Sequence, residues 1–171
     1  IVSPRYSINQ VKLDYARYKF LVENIKLNNI DIVEFGSNLG YFCLSIAQDY
    51  NSFITGYEPI GHYSRCSQII SELMEWDKKV KFLSTPIKLN DIAKLKKADL
   101  LIELNVLHHA GSFYDQRNVS SVEDWRKYAI NRLLEIKNRY KRIFFQTGNM
   151  LNGKVLFPSE VSVKYIYGLL K

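Results

Sequence analysis

The chain has 171 residues, 47% apolar and 24% charged, with 2 Trp, 12 Tyr and 9 Phe. That composition supplies one substantial core and excludes intrinsic disorder as a class. Lys and Arg number 24 against 17 Asp and Glu, and the net charge of +7 favours anionic partners. The basic residues are nevertheless scattered (Lys78, Lys79, Lys81; Lys94, Lys96, Lys97; Arg139, Lys141, Arg142) rather than gathered into a tail.

Several further classes fall away. No run approaches the roughly 18 consecutive apolar residues of a membrane helix. Ile1 to Arg5 show no charged region followed by an apolar one, so no secretory signal is expected. The lack of a Met at the N-terminus is expected of a trimmed chain or a piece of a longer one. Cys43 and Cys66 form neither a C-x-x-C nor a zinc spacing, and a reducing, cytoplasmic compartment is the natural expectation.

In chain order, strand-like and helix-like segments alternate. Asn9 to Leu27 carries apolar residues near helical spacing (Val11, Tyr15, Tyr18, Leu21, Val22, Ile25). Asp31 to Phe35 is a short apolar run ending at glycine, a buried strand. Gly40 to Asp49 reads as helix, Phe53 to Glu58 as a second strand, and Pro59-Ile60-Gly61 as the turn after it. Residues 62–76 place Ile69, Ile70, Leu73 and Met74 on one helical face. Val80 to Ser84 is a third strand, Asn90 to Lys97 a short basic helix, and Asp99 to Leu104 a fourth, central strand. Residues 110–119 form a loop. Ser120-Ser-Val-Glu123 matches a capping box that starts a helix to about Arg139. Arg142 to Thr147 is the fifth strand, and Ser162 to Leu170 a final helix.

Five strands alternating with helices imply an α/β, Rossmann-like, doubly wound and mostly parallel sheet with helices on both faces. The whole of 1–171 is expected to be a single domain: an N-terminal helical segment (1–28), a ligand-binding core (29–148) and a C-terminal segment (149–171), the last either minimal or truncated. Ligands of such sheets sit at the carboxyl ends of the strands, here the loops after Phe35, Glu58, Ser84, Leu104 and Thr147.

Those loops carry the chemistry. In Glu34-Phe35-Gly36-Ser37-Asn38-Leu39-Gly40 a strand meets a glycine turn and then a helix, whose free N–H groups face an electron-rich ligand. A dinucleotide fingerprint needs glycines at 36, 38 and 41, and Asn38 and Tyr41 occupy two of those places. Glu58, at the solvent-accessible end of the second strand, is placed to accept hydrogen bonds from a ribose diol. After the fourth strand come Asn105-Val106-Leu107-His108-His109, and paired histidines offer a general base near neutral pH. A metal site lacks a third ligand of suitable spacing, His62 lying in the loop after strand two.

Together, Glu34-x-Gly36-x-x-x-Gly40, Glu58 and the stretch Ala98 to His109 resemble class I S-adenosylmethionine-dependent methyltransferases from about Ile30 to Gly148. The resemblance implies that Glu34, Gly36, Ser37, Asn38 and Gly40 cradle the methionine end of S-adenosylmethionine and that Glu58 holds its ribose, beside Pro59 and Ile60. It implies that Asn105 contacts the amino end and that Arg5 closes over the carboxylate. Family members often have an Asp after the third strand for adenine. Here Ser84-Thr85-Pro86-Ile87 stands there, so adenine recognition is expected from backbone and apolar contacts of Pro86 and Ile87. Of the two catalytic candidates, His108 is expected to act as base and His109 to support the loop. Gln146 to Asn149 and the aromatics Phe113 and Tyr114 are placed near the acceptor, while Trp125 is read as core. The family's usual final antiparallel strand pair is not evident in the sequence.

The expected activity is methyl transfer to an oxygen of a small-molecule or saccharide acceptor, loosely similar to methyltransferases of bacterial surface-polysaccharide synthesis. Two alternatives stay open. One is an RNA or DNA methyltransferase, suggested by the charge but disfavoured by Val106-Leu107 after Asn105. The other is a non-catalytic module of a larger protein. No membrane span is expected, and the oligomeric state is open.

Overall fold

A computed structural model describes residues 8–151, 153–157, 164, 167 and 168 of the chain. In chain order they form α1 (Ile8–Asn24), β1 (Asp31–Phe35), α2 (Tyr41–Asp49), β2 (Phe53–Tyr57), α3 (Gly61–Leu73), β3 (Val80–Leu83), α4 (Leu89–Ile92), β4 (Ala98–Leu104) and a 3-10 turn (Leu107–His109). Then follow α5 (Val122–Lys137), β5 (Tyr140–Gln146) and the short strands β6 (Met150–Leu151) and β7 (Lys154–Val155).

The five apolar runs pair, all parallel, in the order β3-β2-β1-β4-β5. β1, β2, β3 and β5 are rich in β-branched or aromatic residues and β4 in leucine, and covered faces leave little room for polar alternation at the centre. β1 therefore sorts its side chains by parity. Ile32 joins Leu21, Phe42, Ile46, Leu100 and Ile102 on the face covered by α1 and α2. Val33 and Phe35 join Leu101, Ile136 and Tyr140 on the opposite face. A third cluster under α5 gathers Leu107, Trp125, Tyr128, Leu133, Leu156 and Phe157. The chain winds outward from β1 through β2 to β3, then returns to β4 and β5 on the other side. The strand order reverses between β1 and β4, and the crevice in which ligands of such sheets bind falls at their carboxyl ends.

Most sequence boundaries move by one to three residues. The exceptions have physical causes. α4 is a single turn, not an eight-residue helix. α5 starts one residue later than the expected box, because Ser121 caps it by accepting from the Asp124 N–H (3.0 Å), while the Ser120 hydroxyl donates to Asp124 Oδ2 (2.6 Å). A final antiparallel strand pair does exist, β6 with β7, but as a separate two-stranded sheet and not on the edge of β5. The final helix expected at 162–170 falls mostly outside the described residues.

The largest correction concerns α3. Its apolar stripe faces solvent: Ile69 is 43% exposed, Ile70 42%, Leu73 77% and Met74 52%. Ser64, Ser67 and Ser71 are the residues buried against the sheet. The reason is close approach. A Cβ on Gly40 would lie 3.0 Å from Ser67 Cβ and 2.8 Å from the Phe82 ring, so only small side chains fit between α3 and the layer below.

Candidate active site

The turn after β1 is built from positive-φ residues: Gly36 (69°), Asn38 (51°) and Gly40 (76°). Asn38 tolerates the left-handed region better than most residues because its short polar side chain can bond locally. Gly36 is also required sterically, since a Cβ there would stand 2.6 Å from Val106 Cγ2. The Gly36 and Ser37 N–H groups donate to Tyr57 O (2.8 and 3.0 Å), which fastens the turn to the end of β2. Gly40 serves packing, because the space of its missing side chain is filled by Phe82 and Ser67.

Glu58 is not at a solvent-accessible strand end as expected; it is only 5% exposed. Its Oε2 accepts from the Asn38 N–H and its Oε1 from the Ile60 N–H, each at 2.8 Å. One carboxylate thus joins the glycine turn to the turn after β2. Each oxygen keeps lone-pair capacity for a further donor. Pro59 and Ile60 are exposed beside it.

Glu34 turns away from the crevice, into the face covered by α2, where its Oε2 accepts from the Cys43 thiol (2.8 Å). Burial pushes the Glu34 carboxyl up to about 8, and burial together with Glu34 drives the Cys43 thiol well above its ordinary value. Ser37 Oγ and Asn38 Oδ1 are buried and have no hydrogen-bond partner. Unsatisfied buried polar atoms are costly, and two of them fall in this one turn. With Glu58 beside them, these residues fit a ligand that carries both hydroxyl donors and a polar amino-acid end.

The other loops meet the same crevice. Asn105 has φ 60° and its N–H donates to Gln146 O (2.8 Å), which ties the ends of β4 and β5. His108 packs against Gly148, whose N–H donates to His108 Nδ1 (3.2 Å). An accepting Nδ1 carries no proton, so the neutral ring holds its proton on Nε2. The lone pair that a general base needs is thereby engaged, which counts against the expected role of His108. Burial, and then the neighbouring His109, lower His108 to about 4. The His109 ring centre lies 3.9 Å from that of His108, with the planes tilted by 38°, and His109 meets Phe113 edge-on at 4.9 Å. Its half-buried ring has no hydrogen bond among the described residues, and burial lowers its pKa as well. Both rings are therefore neutral near pH 7.

Of the two aromatics expected near the acceptor, Phe113 is 76% exposed whereas Tyr114 is core. Trp125 is core, as expected, and donates from Nε1 to Leu107 O (3.2 Å). On the side of the β3 loop, Pro86 is half-buried and Ile87 buried. Arg5 lies outside the described residues. His62 stands exposed at the start of α3.

The sequence reading missed a buried ion pair. Arg132 and Glu103 are both fully inaccessible, with Arg132 Nε and Nη2 donating to the two Glu103 oxygens (3.4 and 3.3 Å). Arg132 Nη1 donates to Ile87 O (3.0 Å), and the guanidinium lies 5.4 Å from the ring centres of both Phe35 and Tyr114. Burial opposes the Arg132 charge, yet Glu103 outweighs it and holds the guanidinium above its ordinary value. Nearby, Asp115 Oδ2 accepts from the Tyr128 hydroxyl (2.6 Å) and the Leu89 N–H (3.0 Å). The loop between β3 and α4 is therefore held at Ile87 and Leu89. The available signal was Arg132 on the buried stripe of α5 (Trp125, Tyr128, Ala129, Leu133, Ile136) and Glu103 inside an apolar strand.

A cavity of about 700 Å³ lies elsewhere, at the opposite ends of the strands, lined by Lys78, Lys79, Lys81, Lys96 and Lys97 among others. Among the described residues no helix is long and apolar enough to cross a membrane.

By sequence, no protein-family model and no curated protein matches the chain. By structure, it is similar to the bifunctional kinase-methyltransferase WbdD, with a TM-score of 0.57, 19% identity and 80% of this chain against 28% of that one. It is similar to magnesium protoporphyrin IX methyltransferase (ChlM) from Synechocystis PCC 6803 with bound SAM, at TM-score 0.51, 18% identity and 74% against 53% coverage. A StiE O-MT structure gives TM-score 0.52, 14% identity and 77% against 39% coverage. The chain thus spans less than a third of WbdD and about half or less of the other two. At these identities the likeness is one of fold: the chain carries the fold of class I S-adenosylmethionine-dependent methyltransferases.

Proposed function

We propose that this chain binds S-adenosylmethionine at the switch point and transfers its methyl group to an oxygen of a small-molecule or saccharide acceptor. The observation that carries this reading is the Glu58 clamp on the glycine turn, with Ser37 Oγ and Asn38 Oδ1 unpartnered beside it. A carboxylate at the second strand end with free lone pairs suits a ribose diol, and the turn suits an amino-acid end.

When bound, S-adenosylmethionine supplies an electrophilic sulfonium methyl open to in-line displacement. The chain's task is alignment and removal of one proton. Glu58 holds the ribose hydroxyls, and Pro59, Ile60, Pro86 and Ile87 flank the adenine. Gly36, Ser37, Asn38 and Gly40 shape the methionine end, with Glu34 acting from beneath through α2. Asn105 meets the amino group and Arg5 the carboxylate. His109, neutral and with unengaged ring nitrogens, takes the acceptor's proton. His108 donates from Nε2–H to the acceptor oxygen and positions His109 by ring contact. We read 1–171 as one such domain acting in the cytoplasm, where two unpaired cysteines stay reduced.

Calorimetry with S-adenosylmethionine and S-adenosylhomocysteine tests this. Saturable one-to-one binding of both is expected. A folded chain that binds neither at about 1 mM, with no rise in melting temperature, overturns the reading.

A further inference from the structure

Helix α3 presents its apolar stripe to water and its serines to the core. Single exposed apolar residues need no explanation. A whole stripe turned outward on one helix does. The inner side is a close approach: a Cβ on Gly40 would stand 3.0 Å from Ser67 Cβ and 2.8 Å from the Phe82 ring.

The outer stripe has a regular form. His62, Cys66, Ile69 and Leu73 recur at spacings of four, three and four, the seam of helix-on-helix packing. All four are exposed. Ile70 and Met74 widen the apolar strip on one flank. On the other flank stand Arg65 and Glu72, seven residues apart and so on the same side of the seam. Arg65 has no partner among the described residues, and Glu72 meets only Gln68, of its own helix (3.1 Å).

This charge pattern is complementary to itself. When two identical helices pack antiparallel about a two-fold axis, like flanks face each other. With the axis near Ile69, Arg65 of each copy lies opposite Glu72 of the other, and Ile69 meets Ile69. A parallel arrangement would instead bring Arg65 and Glu72 against the Ile70 and Met74 flank of the other copy and leave both charges unpaired.

We propose that α3 is a self-association surface through which two copies of this chain pair antiparallel, centred on Ile69, with reciprocal Arg65–Glu72 ion pairs. The surface is one helix wide, so the dimer is weak and concentration-dependent. It is independent of the proposed methyl transfer.

The test is sedimentation of the full chain from about 10 µM to about 1 mM, where mass action must raise the dimer fraction. The expected result is a shift from 20.0 kDa towards twice that mass. Leu73→Asp stays monomeric throughout. Arg65→Glu and Glu72→Arg each weaken the dimer several-fold, and the double swap restores it. Thermal melting of each variant, followed by circular dichroism, stays near that of the parent, because these side chains are exposed. As a check of register, Cys66→Ser/Ile69→Cys crosslinks under mild oxidation. Native Cys66 does not, because the two copies of residue 66 lie about 9 Å apart along the axis, too far for a disulfide. A chain that is monomeric at every concentration overturns the proposal. So does a dimer indifferent to Leu73→Asp, or a double swap no better than the single variants.

Discussion

Glu58 holds two backbone N–H groups from two different loops, and in the proposed complex it also accepts from the ribose. Glu58→Ala would leave both N–H groups without a partner, each costing about 1–3 kcal/mol when buried. Loss of cofactor affinity in that variant would be confounded with loss of the loop. Glu58→Gln separates the two effects. It keeps an acceptor for one N–H and loses the charge assistance, so S-adenosylhomocysteine affinity should fall about tenfold or more while the chain stays folded. Calorimetry and a thermal melt on the same sample measure both; unchanged affinity would remove Glu58 from the site. Arg132 and Glu103 behave in the opposite way. Removing one partner strands a charge in the core, so Arg132→Met or Glu103→Leu alone should destabilise by about 3–5 kcal/mol. The double variant should recover most of that, as read by urea unfolding. A residual loss of S-adenosylhomocysteine affinity in a stable double variant would show that the hold on Ile87 O contributes to the site.

At the level of elements, β1 and α2 are joined by a buried acid–thiol contact whose protonation is coupled to folding. Glu34 titrates near 8 in the fold against an ordinary value of 4.5. Its folded pKa is raised, so its contribution is fully present below 4.5 and is lost as pH rises towards 8. His108 works the other way, because its folded value near 4 lies below 6.5, and protonation destabilises the fold as pH falls between those values. Between pH 6.5 and 8 Glu34 acts without that opposition. Stability should fall there by on the order of 1 kcal/mol per pH unit. Glu34→Gln should flatten that slope in chemical unfolding at several pH values; an unchanged slope would assign the dependence to other groups. Helix α3 carries a second lesson at this scale. Its 3.6-residue periodicity identified a helix correctly, but periodicity alone does not say which face is inside. The helix-to-sheet distance, set by Gly40 and Phe82, decided that.

For the whole molecule, the proposed site lies where the strand order reverses, and the loops that build it come from all five strands of the main sheet. A ligand that bridges them should stabilise the entire fold. At 100 times its Kd, S-adenosylhomocysteine would add about 2.7 kcal/mol and raise the melting temperature by several degrees. Differential scanning calorimetry across a ligand series measures this, and a shift that does not grow with concentration would count against specific binding. The lysine-lined cavity lies at the other end of the strands, so the basic segments near 78–81 and 94–97, apart in sequence, converge in space away from that site.

The sequence by itself determined the alternation of strands and helices, the glycine turn at 36–40, the acid at 58 and the loop at 105–109. These depend on local rules: period-two and period-3.6 patterning, the backbone freedom of glycine, and the placement of loops after parallel strands. Tertiary structure alone decided the partners. It turned Glu34 towards Cys43, buried Glu58 under two backbone N–H groups and engaged His108 with Gly148. It also hid Arg132 against Glu103 and set the isoleucines of α3 in water. Each of these outcomes depends on which groups from distant segments arrive within about 3–4 Å, where hydrogen bonds and close packing act, and no local pattern encodes that distance.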